Sequence, residues 1–100
     1  MIRGTTPSIT FSFSKVNVAD ITTIYLTVKS EKDQLVLEMA LEDATVDTEA
    51  NTISWDLSQA DTLAMSKNVH IQIRYKAGSK AYASKTFNVP VEEILKEGVI

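Results

Sequence analysis

Val69-His70-Ile71-Gln72-Ile73-Arg74-Tyr75-Lys76 alternates apolar and polar residues without a break. Successive side chains of a β-strand point to opposite faces, so a period of two makes this segment a half-buried strand, with Val69, Ile71, Ile73 and Tyr75 on the apolar side. On a helix the same residues would be scattered around the circumference. The fold class then depends on how often the pattern returns on either side.

Upstream it returns at residues 52–57, where Ile53, Trp55 and Leu57 share one phase. Between these two runs, Ser58-Gln59-Ala60-Asp61 has the hydroxyl and the acid three residues on of a capping box. It predicts a short helical turn through Met65, crossing from one sheet to another. Residues 35–41 are expected to bury Leu35, Leu37, Met39 and Leu41 and to turn Val36, Glu38 and Ala40 outward. Residues 24–30 point Ile24, Leu26 and Val28 inward and Tyr25, Thr27 and Lys29 outward, and the polar Glu31-Lys32-Asp33-Gln34 joins the two runs as a hairpin. Residues 8–14 place Ile9, Phe11 and Phe13 on one face. Residues 17–22 read as a turn with one helical turn around Asp20, and the acidic stretch 42–51 as a short strand near Thr45 followed by another turn.

Downstream, Ala77-Gly78-Ser79 is a turn and residues 80–89 are the last strand, with Ala83, Phe87 and Val89 on the buried side. Lys85 shares that phase, so a bulge or a strand end is expected there. Pro90 has no N–H to offer and ends the ladder. The tail sets Val91, Ile94 and Leu95 at helical spacing, with Glu92 and Glu93 early, Lys96 late and Gly98 as a stop. Together these runs predict one all-β domain over residues 1–100, an antiparallel immunoglobulin-like β-sandwich of six to seven strands with a short helical turn and a C-terminal tail. Residues 1–7 form an extended arm and 91–100 the tail. A small barrel is the alternative. "Immunoglobulin-like" describes architecture only, because a chain without cysteine lacks the disulfide of antibody domains.

Composition narrows the function classes. Of 100 residues, 44% are hydrophobic and 23% charged, as in ordinary globular domains. A chain of this length buries roughly two-thirds of its unfolded surface, enough for one core. The net charge of −3 and the scattered basic residues provide no face to neutralise phosphates, which argues against nucleic acid and anionic membrane surfaces as partners. No run of about 18 apolar residues is present, so no membrane insertion is expected. Residues 1–7 lack the apolar core of a secretory signal. The absence of cysteine removes thiol nucleophiles, disulfides and zinc–thiolate sites together, and fits synthesis in the cytoplasm.

Chemistry is sparse. His70, the only histidine, lies on the polar side of its strand with no partner identified by sequence, and reads as a surface residue. Glu38, Glu42, Asp43, Asp47 and Glu49 lack the spacing and the glycine of a calcium loop, and read as a solvated edge. Trp55 and Tyr75 share phase with core positions. Tyr25 and Tyr82 face outward, and two tyrosines do not by themselves make a sugar-binding cleft. No serine stands in a nucleophile elbow, and three glycines leave no phosphate-cradling loop. No catalytic, cofactor-binding or metal residue is therefore assigned, and a structural or binding module is expected rather than an enzyme. The tail residues Val91, Ile94 and Leu95 either fold back on an open end of the sandwich or dock a partner.

The opening Met1-Ile2-Arg3-Gly4-Thr5-Thr6-Pro7 and the Ile9-Thr10-Phe11 that follows resemble the start of a group of small prophage-encoded proteins from tailed phages of Gram-positive bacteria. The likeness continues at Asn51-Thr52-Ile53, at Leu57-Ser58-Gln59-Ala60-Asp61-Thr62-Leu63 and at Val69-His70-Ile71-Gln72-Ile73. The layout also resembles the N-terminal β-sandwich of phage upper-baseplate proteins. The resemblance implies a tail- or baseplate-associated structural or adaptor role, with other phage tail or baseplate proteins as partners. It implies synthesis in the bacterial cytoplasm followed by assembly into the virion. It leaves the oligomeric state open, a homo-oligomer included, and brings no catalytic or ligand motif. A glycan-binding module and a host-directed binding or regulatory protein are the rival readings.

Overall fold

The alternating run at 69–76 lies at the centre of a five-stranded sheet, and Val69, Ile71 and Ile73 are shut off from solvent. The computed structural model describes every residue, Met1–Ile100. In chain order the elements are β1 (Ser8–Ser12), a 3-10 turn (Val18–Asp20), β2 (Ile21–Ser30), β3 (Leu35–Ala40), a second 3-10 turn (Leu41–Asp43), β4 (Thr45–Asp47), β5 (Thr52–Asp56), α1 (Gln59–Leu63), β6 (Asn68–Ala77), β7 (Lys80–Ala83) and β8 (Phe87–Pro90).

The strands make two sheets. The small one has the order β1-β5-β4; the large one has the order β3-β2-β6, with β7 and β8 sharing the far side of β6. Every ladder is antiparallel. The chain starts in the small sheet, makes the β2–β3 hairpin in the large one, returns for β4 and β5, and crosses again through α1. The expected capping box starts that crossing: Ser58 Oγ accepts from Asp61 N–H while Asp61 accepts from Ser58 N–H. One cluster of thirteen buried apolar residues draws on both sheets, including Ile24, Leu26 and Val28 from β2, Ile53 and Trp55 from β5, and Ile71 and Ile73 from β6. The shortest dimension, 19 Å, fits two sheets packed about 10 Å apart with their outer side chains.

Asn51 joins the layers' loops. Its backbone takes a left-handed φ of 56°, which asparagine tolerates, and its side chain donates to Phe13 O and Val16 O and accepts from Val18 N–H. The polar turn after β2 forms as expected, with Ser30 N–H bonded to Gln34 O and Ser30 Oγ accepting from Gln34 N–H.

Three expectations are corrected. First, the inward set of β3 is different. Val28 faces Leu37 but Lys29 faces Leu35, so Val36 is an inserted residue. Val36 and Leu37 both pack on the core, while Leu35 is 58% exposed beside Lys29 on the outer face. A bulge shifts the phase within a strand, and periodicity alone does not reveal it.

Second, residues 80–89 form two strands, giving eight in all. Ser84 makes the break: its N–H donates to Ile73 O, and its Oγ takes the place of a carbonyl in accepting from Ile73 N–H. The interruption expected from Lys85 is therefore present, but Ala83 is exposed and not buried. Third, the tail is not helical. Val91 N–H bonds Lys67 O and Glu92 N–H bonds Met1 O, which holds this stretch extended. The arm at residues 1–7 is tied to the tail. Ile2 and Glu92 form a parallel bridge, and Met1–Arg3 is hydrogen-bonded along the start of the tail.

Candidate docking surfaces

The side of the molecule where β1 and β8 face each other is open. Neither strand has a second partner: β1 pairs only with β5, and β8 only with β6. Between them runs a groove of about 500 Å³ floored by Ile9, Phe11, Ile71, Phe87 and Val89. These are the inward residues of their strands, so the groove is the rim of the core left uncovered. Phe11 and Phe87 meet across it, their ring centroids 5.9 Å apart.

The hydrogen-bond phase decides which main-chain groups remain free. Leu57 N–H bonds Pro7 O, and Phe13 N–H bonds Asn51 O. Bonded and non-bonded pairs alternate in an antiparallel ladder, so the odd-numbered residues of β1 face β5. The N–H and C=O of Ser8, Thr10 and Ser12 therefore point to the open side. On β8 the bond from Val91 N–H to Lys67 O sets the same odd phase, leaving Asn88 and Pro90 directed outward. Pro90 O is taken by the Met1 amino group at 3.0 Å, so the arm closes one end of the groove.

Edges are commonly protected by charge, proline, bulges or shortness. β3 carries a bulge and Glu38, β4 has three residues and ends in Asp47, and the β7–β8 edge is broken at Ser84. β1 has none of these devices: residues 8–14 are uncharged and evenly alternating.

The tail residues singled out by sequence are dispersed. Val91 is buried in the core, Ile94 is half-buried, and Leu95 is fully exposed. Ile94 packs over Gly4, where an added Cβ would stand 3.0 Å from Ile94 Cδ1, and the left-handed φ of 73° there suits glycine. Arg3 is the hub of this end. Its Nε and Nη2 donate to Met65 O and Leu63 O at the end of α1, and its Nη1 reaches Glu93 and Glu97 at 2.8 and 2.9 Å. The Glu97 hydrogen bond foremost raises the guanidinium pKa, partial burial opposes it, and Glu93 adds to the rise. Thr62, the one buried polar side chain, donates to Thr5 O and fastens the arm to α1. The apolar tail side chains left outside are Leu95, Val99 and Ile100.

The remaining candidates fall as follows. Trp55 is fully buried, with its indole N–H on Ala40 O at 3.0 Å and Phe11 edge-on at 6.2 Å. Tyr75 is half-buried between Phe13, edge-on at 5.1 Å, and Tyr82, stacked at 5.2 Å. Burial first, and the neighbouring Tyr82 second, push its phenol pKa up. His70 hydrogen-bonds Asn88 through Nδ1 on the outer face. Asp43 accepts from Ala40 N–H, and Asp47 from Glu49 and Ala50 N–H, so both carboxylates close turns. No three acidic or histidine side chains converge. Tyr25 and Tyr82 are both exposed but lie on opposite faces of the large sheet, Tyr25 opposite Arg74 and Tyr82 opposite Tyr75.

No family model matches the chain, and neither does any curated protein. Sequence reasoning missed Arg3, Ser84 and the meeting of Phe11 with Phe87. The uncharged run 8–14 was the visible signal for an open edge and Lys85 for the break at Ser84; nothing local marked Arg3.

Proposed function

We propose that this protein is a non-enzymatic structural or adaptor component of a phage or prophage tail or baseplate, acting by protein–protein docking. One observation carries the docking part: the unprotected β1 edge beside an apolar groove. A partner strand laid along β1 gains main-chain hydrogen bonds to Ser8, Thr10 and Ser12, and its alternate side chains enter the groove between Phe11 and Phe87. No acidic residue lines the groove, and Lys85 lies over Phe87 at its far end. The occupant that fits is an extended strand of another tail or baseplate protein, with alternating apolar residues and a carboxylate toward Lys85.

The phage assignment rests on the resemblance of the Met1–Pro7 opening and the internal segments. In the same proposal the two sheets are an immunoglobulin-like sandwich. The support is the arm, which bonds the large-sheet side through Met1–Arg3 before β1 joins the small sheet. Peptide mass spectrometry on purified particles after prophage induction is the test, with a photo-crosslinking residue in place of Thr10. Recovery alongside tail proteins, with a crosslink to one of them, is the expected result. Absence from particles while the lysate holds abundant protein would overturn the structural role.

A further inference from the structure

The outer face of the large sheet holds a second feature, independent of the β1 edge. Tyr25 stands directly opposite Arg74 in the β2–β6 ladder, and that row is flanked by Ala40 on β3 and Ala83 on β7. The outward residues around this pair, Thr23, Thr27, Glu38, Lys76 and Ala81, line a dip of about 340 Å³ with Tyr25 and Arg74. Tyr25 is 46% exposed and offers ring surface to solvent. Tyr75 and Tyr82 face each other across the β6–β7 ladder and stack on the inner side of the sheet, so the aromatic surface of the outer face is Tyr25. The floor is the β2–β6 pairing, the longest ladder in the protein.

The charges here are uncommitted. The only ion pairs in the structure join Arg3 to Glu93 and Glu97 and Lys29 to Asp33, so Arg74 and Lys76 have no carboxylate partner. An unpaired guanidinium fits a carboxylate or phosphate in a two-pronged contact, and the ammonium adds a point charge. Main-chain groups are consumed by the ladders on both sides of β2 and β6, so the face offers side chains only and cannot add a peptide strand. Hydroxyls of Thr23, Thr27 and Tyr25, with Glu38 as an acceptor for hydroxyl donors, suit a polyhydroxylated ligand. Glu38 also disfavours a polyphosphate by like charge.

We propose that this depression binds an anionic saccharide, with a sugar ring against Tyr25 and its single carboxylate or phosphate on Arg74 and Lys76. The site is separate from the docking groove, so either can fail alone. The test is amide and tyrosine-ring NMR titration of the full chain with three probes: trigalacturonate for a carboxylate, N-acetylglucosamine 1-phosphate for a phosphate, and neutral maltotriose. The expected result is saturable shifts at residues 23–27, 72–76 and 81–82 with at least one anionic probe, at dissociation constants of about 1 mM or below. Whichever anion binds identifies the acidic group. Arg74→Gln is expected to weaken binding at least about tenfold and Tyr25→Ala severalfold, with unchanged amide spectra elsewhere to show that the fold is retained. No shift with either anion up to about 10 mM overturns the proposal. So do equal affinity for maltotriose, shifts confined to other faces, and wild-type affinity in folded Arg74→Gln.

Discussion

Replacing Thr10 with proline separates the two sides of β1. The bonds from Leu57 N–H to Pro7 O, 2.9 Å, and from Phe13 N–H to Asn51 O, 3.1 Å, bracket Thr10 and place its own N–H on the open side. Proline therefore removes a donor with no partner inside the molecule. The loss is the exposed Thr10 Oγ1···Ser54 Oγ bond at 2.9 Å, and a modest pull of φ toward proline's value. Together these cost about 1–2 kcal/mol. Ile9→Pro, one residue away, removes a donor facing β5 and an inward side chain, at about 3 kcal/mol or more. Urea unfolding followed by Trp55 fluorescence measures both, with the slope against denaturant expected to stay constant. Folded Thr10→Pro is then expected to fall at least about tenfold in recovery from purified particles, because proline on the open edge blocks an incoming strand. Equal destabilisation by the two prolines would refute the ladder phase. A stable Thr10→Pro incorporated at wild-type level would refute docking along β1.

Trp55→Phe removes the donor to Ala40 O and leaves a void at the centre of the core; a loss of about 2–3 kcal/mol is expected, read by circular dichroism in urea. Gly4→Ala forces a side chain into left-handed backbone against Ile94, with an expected cost of about 1–2 kcal/mol and faster hydrogen exchange in residues 1–5 than in β6. Tyr75 has a folded-state pKa above the ordinary tyrosine value of 10.0, so the unfolded chain ionises first as pH rises. Its contribution is full below that value and is lost as pH climbs from there through the folded pKa. Thermal melts should therefore show a steeper alkaline decline in the wild type than in Tyr75→Phe, and identical slopes would contradict the burial of the phenol.

Much of the architecture was legible because it depends on local alternation. Runs around Ile53 and Trp55, Ile24 and Leu26, and Ile71 and Ile73 reveal their buried faces by period two, and these same residues form the joint core. The capping box at Ser58 and Asp61 is equally local, since donor and acceptor are three residues apart. Even the interruption near Lys85 was visible as a charge in an apolar phase. The bulge at Val36 was not, because an inserted residue is defined by the partner strand and β3 alone reads as regular.

Everything that bears on the candidate sites spans long separations. Arg3 acquires its role from Leu63, Met65, Glu93 and Glu97, some sixty to ninety-four residues away, and nothing near it in the chain announces them. Tyr25, Arg74 and Ala81 come to line one depression only through the order β2-β6-β7. The sequence by itself determined which residues alternate, where the chain turns and where the helical crossing begins, since those are nearest-neighbour matters of side-chain direction and capping. Tertiary structure alone decided which strands lie at edges, which edge stays open and which charges go unpaired. Those properties belong to strand order, and strand order is set by how two whole sheets bury their apolar faces together.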